Sequence, residues 1–175
     1  EKDRPRIIWF DNDDPKAPET SYHTGGKDSQ AEPLVMKAAG GINVAGDLPG
    51  DYTDVDAEWV LKQNPDVAIL EDTNFNEIGY GVDDPSKAEA SWRALMNRTG
   101  LSQTKAVRDK KVYLIHSYLT ITEWFIGVPY LAKMLYPDLF ADLDPEEIHQ
   151  EFINKFRGID YDLNWRINEH TMLIE

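Results

Sequence analysis

One segment, Tyr52 to Glu71 (YTDVDAEWVLKQNPDVAILE), constrains the fold more than any other. Asp56 is placed to cap a helix, because its short acceptor side chain can take an N–H of the first turn. Trp59, Val60 and Leu61 open an apolar helical face. Pro65 then stops the helix, since the residue before a proline is pushed out of the helical region. Val67, Ala68, Ile69 and Leu70 follow as a continuous apolar run, the pattern of a strand covered on both faces. A helix feeding at once into such a strand is half of an α/β crossover.

The same alternation recurs along the chain. Ile7 to Phe10 reads as a strand, and Ser29 to Ala39 as a helix closed by Gly40-Gly41, since glycine tolerates a left-handed C-cap. Ile42 to Ala45 reads as a short strand, Asp56 to Asn64 as a helix and Asp66 to Glu71 as a strand. A helix from Lys87 to Arg98 and a strand from Lys111 to His116 complete the series. The expected architecture is α/β, a mostly parallel sheet of about four or five strands flanked by helices. The C-terminal third turns helical, over Ile121–Leu135 and Pro145–Phe156. Pro129 interrupts the first of these, so a kink or two abutting helices is expected near Gly127.

Two long polar loops, Asp11–Asp28 and Asp72–Ser86, should leave the carboxyl ends of strands together with the shorter Ser117–Thr120. In open α/β sheets ligands bind at that edge. These three loops are the candidate site.

Composition removes several classes of function. A chain of 175 residues can bury roughly 70% of its unfolded surface. Its formal net charge of −14 repels a polyanion over most of the surface, which argues against nucleic acid as a partner. It contains no cysteine, which excludes disulfides, thiolate zinc sites and cysteine-held iron–sulfur clusters. No apolar stretch approaches the roughly 20 residues of a membrane span, and EKDRPR is no signal peptide. The first strand begins within a few residues of the start, as expected of a segment taken from a longer protein.

Chemical motifs fail on inspection. Gly26-Lys27 before a helix suggests a phosphate loop, but Asp28 stands where Ser or Thr is needed and Ser21 where the first glycine belongs. Asp11-Asn12-Asp13-Asp14 opens like a calcium loop, yet the sixth position is Lys16 and the twelfth Tyr22. His23, His116, His149 and His170 show no helix-face metal spacing. Ser117 beside His116 lacks the GxSxG elbow, and strand neighbours point to opposite faces. Asn97-Arg98-Thr99 matches a glycosylation sequon by a pattern too common to weigh. Asp72 with Glu71 could form a carboxylate pair, yet Glu71 more simply ends its strand.

What remains is a binding surface. His23 and His116 both fall at strand-end loops. Each alone reads as an ordinary polar loop residue, while their joint placement favours a binding role. Trp9 and Phe10 read as core. Tyr22, Tyr52, Tyr80 and Tyr118 lie in polar surroundings, where a half-exposed phenol can stack on a flat ligand and donate a hydrogen bond.

Gly26-Lys27-Asp28-Ser29, leading through a helix into Ala39-Gly40-Gly41-Ile42-Asn43-Val44-Ala45, resembles the glycine-lysine-acid-serine turn and Gly-Gly-x-Asn signature of class III substrate-binding proteins of ABC importers. The Tyr52–Glu71 segment and the stretch from Tyr130 to Phe140 with Asp144-Pro145 are similar to further segments of that family. The resemblance implies one Rossmann-like C-terminal lobe spanning 1–175, with the family's N-terminal lobe and linker helix lacking a counterpart. It implies an extracytoplasmic, non-enzymatic protein, anchored in its full-length form, that takes no cofactor and grips an iron-siderophore, haem or cobalamin between two lobes. An ABC permease and the protein's own N-terminal lobe would be its partners. By matching position, His23 and Tyr52 fall at ligand-contacting aromatic positions, and the loop from His116 at polar contacts. Glu58 falls where the family docks onto permease arginines. A glutamate in a first helical turn also gains about 0.3–1 kcal/mol from the helix dipole wherever it occurs.

Two alternatives remain open at this point. One is a nitrogenase-like or other α/β oxidoreductase domain, which would need clusters from a partner. The other is a protein-interaction domain using the acidic surface. The strand-end edge discriminates, since an aromatic-lined edge favours ligand capture and a flat acidic face with buried tyrosines favours interaction.

Overall fold

The computed structural model describes residues 3–11, 20–30, 32–72, 84 and 86–157. The sheet contains β1 (Arg6–Asp11), β2 (Ser21–Gly25), β3 (Ile42–Asn43), β4 (Tyr52–Asp56), β5 (Val67–Asp72) and β6 (Val112–His116). The helices are α1 (Glu32–Ala38), α2 (Ala57–Gln63), α3 (Ser86–Met96), α4 (Lys105–Arg108), α5 (Trp124–Leu135) and α6 (Pro145–Phe152). The strand order is β4-β2-β1-β5-β6, with β3 paired to β1. β1, β3, β5 and β6 run parallel, as the sequence implies. β2 is antiparallel to both β1 and β4.

Alternation along β1 divides the core. Ile7 and Trp9 join Val35, Met36, Ile69, Ile115, Ile126 and Leu131 on one face, beneath α1 and α5. Ile8 and Phe10 join Val60, Leu70, Trp92, Leu95, Leu101 and Leu114 on the other, beneath α2, α3 and α4. Each fully buried side chain of this size contributes about 1.5–3 kcal/mol, so both faces must be covered for the sheet to persist. That explains why β5 and β6 are buried at every position.

The helix ends follow their sequence signals. Asp56 accepts the Trp59 N–H at 2.7 Å, and Asn64 adopts the left-handed conformation just before Pro65. Gly40 closes α1 with φ +87°, a region that L side chains rarely adopt. Asp144 caps α6 through the N–H groups of Glu146 and Glu147.

Two expectations are corrected. The stretch Asp11–Asp28 is not all loop, because β2 lies inside it and pairs along its full length with β4. The signal was a two-residue alternation, with Tyr22 and Thr24 buried and Ser21 and His23 less so. Nor does Pro129 divide the segment into two abutting helices, since α5 runs through it from Trp124 to Leu135. The bond forfeited is one to the Phe125 carbonyl, early in the helix. What matters near Gly127 is packing: a Cβ there would lie 1.9 Å from the Leu119 carbonyl oxygen. The missing side chain lets the turn Ser117–Leu119 rest directly on α5.

Candidate functional site

The carboxyl ends of β1, β5 and β6 lie side by side. Asp11 registers with Glu71, and Glu71 with Ile115. Asp72 registers with His116 one residue further on, and so on the opposite face.

On the face shared with Trp9, the sheet edge is lined with buried carboxylates. Glu71 is 1% exposed and accepts the Trp9 indole N–H at 2.8 Å. The Thr120 hydroxyl lies 2.6 Å from its other oxygen. Burial pushes the Glu71 carboxyl up to about 7, helped by the negative charges of Glu32 and Asp11 and opposed by the Thr120 and Trp9 hydrogen bonds. Glu32, 2% exposed, begins α1. It accepts the Ser29 hydroxyl at 2.5 Å and the Tyr52 hydroxyl on its other oxygen. Burial, then the Glu32 carboxylate, hold the Tyr52 phenol protonated well beyond the ordinary range.

That anchored phenol carries the first exposed element of the site. The Tyr52 ring stacks on His23, with centroids 5.1 Å apart and planes 9° from parallel. His23 Nδ1 lies 2.8 Å from Asp54 Oδ1, its registered neighbour across the β2–β4 pair. His23 and Tyr52 both keep substantial solvent exposure.

A second His–Tyr pair forms where β6 ends. His116 and Tyr118 stack at 4.6 Å and 23°, and the Tyr118 N–H donates to His116 Nδ1 at 3.0 Å. This histidine is buried, which lowers its pKa against the opposing pull of Asp72 and Glu123. His23 and His116 therefore share one edge, as expected, but stand three strands apart and on opposite faces of the sheet.

Tyr22 departs from its expectation. Its ring is fully buried against Phe10, and its hydroxyl donates to the Thr99 carbonyl at 2.5 Å. The Arg98 guanidinium sits 4.3 Å from the ring centroid, and burial raises the phenol pKa. It anchors β2 rather than presenting a half-exposed phenol. Tyr80 lies outside the described residues. Glu58 is exposed in the first turn of α2.

Sequence reasoning missed Glu32 and Asp54. Glu32 had a signal, because Ser29-Gln30-Ala31-Glu32 has capping-box spacing, here closed by a direct side-chain bond. Asp54 required knowing that Tyr52–Asp56 is a strand. Among the described residues, no group of three or more histidine or acidic side chains is arranged to hold a metal ion. None of their helices is long and apolar enough to cross a membrane.

The chain has known relatives. A family model described as periplasmic binding protein matches residues 1–119. The molybdate-binding protein MolA of Haemophilus influenzae is 28% identical over 134 residues, covering 73% of this chain and 34% of MolA. The structure of the TroA-like periplasmic binding protein FepB from Veillonella parvula is similar with a TM-score of 0.76 at 24% identity, over 91% of this chain and 47% of that one. A periplasmic heme-binding protein from Pseudomonas aeruginosa is similar with a TM-score of 0.56 at 18% identity, over 77% and 44%. The chain thus spans about a third of the curated relative and less than half of these solved chains. The family and these neighbours are non-catalytic binding proteins. With the doubly covered sheet and the match over residues 1–119 in hand, the chain belongs to the periplasmic binding protein family.

Proposed function

We propose that this chain is the ligand-gripping lobe of an extracytoplasmic solute-binding component of an ABC importer, and that its solute is an iron complex, a siderophore or a related haem or cobalamin chelate. The observation that carries the reading is the stacked, solvent-reaching His23–Tyr52 pair at the strand-end edge. A parallel pair of rings offers both a π-face and heteroatoms to a flat or aromatic chelate. Asp11, Glu32, Glu71 and Asp54 surround that pair, which favours neutral or cationic ligands. No bond is made or broken, so affinity rests on shape, stacking and charge.

The test is a titration of the full-length protein with ferric siderophores, haem and cobalamin, read by tryptophan fluorescence, with His23→Ala and Tyr52→Ala alongside. Saturable quenching by one chelate, weakened in both variants, supports the reading. A folded protein silent against the whole panel refutes it. Glu58, exposed at the head of α2, is the proposed contact to permease arginines. Glu58→Lys should leave ligand affinity unchanged and reduce transport, with the difference from wild type largest at low salt and shrinking as salt screens the contact.

A further inference from the structure

What the His23–Tyr52 pair can offer a ligand is decided by where two protons sit. Tyr52 has a single O–H, and it donates inward to Glu32. Glu32 is held in place by the Ser29 hydroxyl on its other oxygen. The phenol proton is therefore committed to a buried carboxylate, and what this half-exposed residue has left to offer is its ring and the oxygen lone pairs. A neutral His23 likewise has a single N–H. Its Nδ1 lies 2.8 Å from a carboxylate oxygen of Asp54, which can only accept, so the proton belongs on Nδ1. Nε2 is left with its lone pair on a half-exposed ring, the arrangement in which a carboxylate orients an imidazole toward an electron acceptor.

We infer that, with His23 neutral, Glu32 and Asp54 make the His23–Tyr52 pair an acceptor-only platform, whose ligand must bring hydrogen-bond donors, positive charge or an electron-accepting metal centre, and which in that form gives tetrahedral oxyanions no donor. The inference rests on the capture reading of the same residues and narrows it. A bare oxyanion is bound by donors, and with the imidazole neutral this pair has none to give. The platform is thus of opposite polarity to one suited to molybdate, the ligand named for the relative MolA. Asp54 is a positioning residue here: it acts through the histidine, by fixing which nitrogen carries the proton.

The test reads the tautomer directly. Nitrogen-15 NMR of the His23 ring at about pH 8, above the ordinary imidazole range, with His23→Gln to assign the signals, should show the proton on Nδ1. In Asp54→Ala the proton should move toward Nε2, the form that an unpartnered imidazole prefers in water. Titration with sodium molybdate should leave the His23 signals unmoved up to millimolar concentration. Whichever chelate saturates the wild type should bind Asp54→Ala about tenfold more weakly, with Asp54→Glu partly restoring it. A wild-type proton on Nε2, an unchanged tautomer in Asp54→Ala, micromolar molybdate binding that shifts His23, or an unchanged chelate affinity would each overturn the inference. The tautomer and molybdate arms need no chelate. If every chelate fails while His23 keeps its Nδ1 proton and ignores molybdate, the capture reading falls and the polarity of the pair stands.

Discussion

The Thr120 hydroxyl oxygen lies 2.6 Å from Glu71 Oε1 and also 2.8 Å from the Ser117 carbonyl oxygen. A hydroxyl has one proton, so it cannot donate to both. The conflict disappears when Glu71 is itself protonated, because the acid then donates to Thr120 and Thr120 donates to Ser117. This geometry agrees with a carboxyl raised to about 7 chiefly by burial.

The sign of the resulting pH dependence follows from proton counting. Between the ordinary carboxylate value and about 7, the folded state keeps a proton that the unfolded chain has lost. Stability therefore falls as pH rises through that window. Glu71→Gln mimics the protonated acid and removes the loss. Its stability relative to wild type should improve by about 3 kcal/mol between pH 4 and pH 8 in urea unfolding. A constant difference across that range would show that Glu71 is ionised throughout.

His149 works in the opposite direction. It is 1% exposed, Glu123 lies 3.8 Å away, and burial lowers its pKa to about 4 despite that carboxylate. As pH falls from about 6.5, the unfolded chain takes up a proton that the folded one refuses, so stability is lost on acidification. His149→Gln removes that loss, so with the Glu71 effect unopposed its stability should rise as pH falls from 6.5 to 4, where wild type stays nearly flat. Because the Glu71 and His149 windows overlap, wild type should show a shallower profile there than either variant. Parallel profiles for all three proteins would contradict this.

Gly127→Ala separates packing from helix propensity. Propensity alone makes alanine better in a helix by about 1 kcal/mol. The Leu119 carbonyl, 1.9 Å from the new Cβ, makes it worse. The expected result is a net loss of about 2–4 kcal/mol, seen as a lower urea midpoint at unchanged slope.

Tyr52→Phe tests the phenol's anchoring. The ring is retained, but Glu32 loses one of its two donors inside a nearly dry site. A cost of about 1–3 kcal/mol is expected, together with weaker chelate binding. Combining it with Glu32→Leu should recover part of the stability and none of the binding. Full recovery of binding would show that ring orientation does not depend on the carboxylate.

Much of this fold was legible because its signals are local. Apolar runs such as Val67–Leu70 report burial on two faces, and Asp56 and Pro65 bracket α2 by capping and steric exclusion. The β2–β4 ribbon was not legible, since its strands are short, half polar and defined by each other. Read singly, Tyr22 looks like a loop tyrosine; paired with Val55, it is a core residue. His23 and Tyr52 were found as separate candidates, whereas their contact is a property of strand pairing. Glu32 and Asp54 stayed hidden because a carboxylate's role depends on what faces it across space.

The ribbon that holds the site is also a device for exchanging inside and outside. Along β2, Tyr22 points into the core while His23 reaches solvent beside Asp54. Inserting or deleting one residue before this strand would trade those destinations, sending an imidazole inward and a phenol out. Point changes at the outward positions, by contrast, leave every buried partner where it was. Selection can therefore rewrite what the edge recognises residue by residue, while the strand's length is held fixed by the residues that recognise nothing.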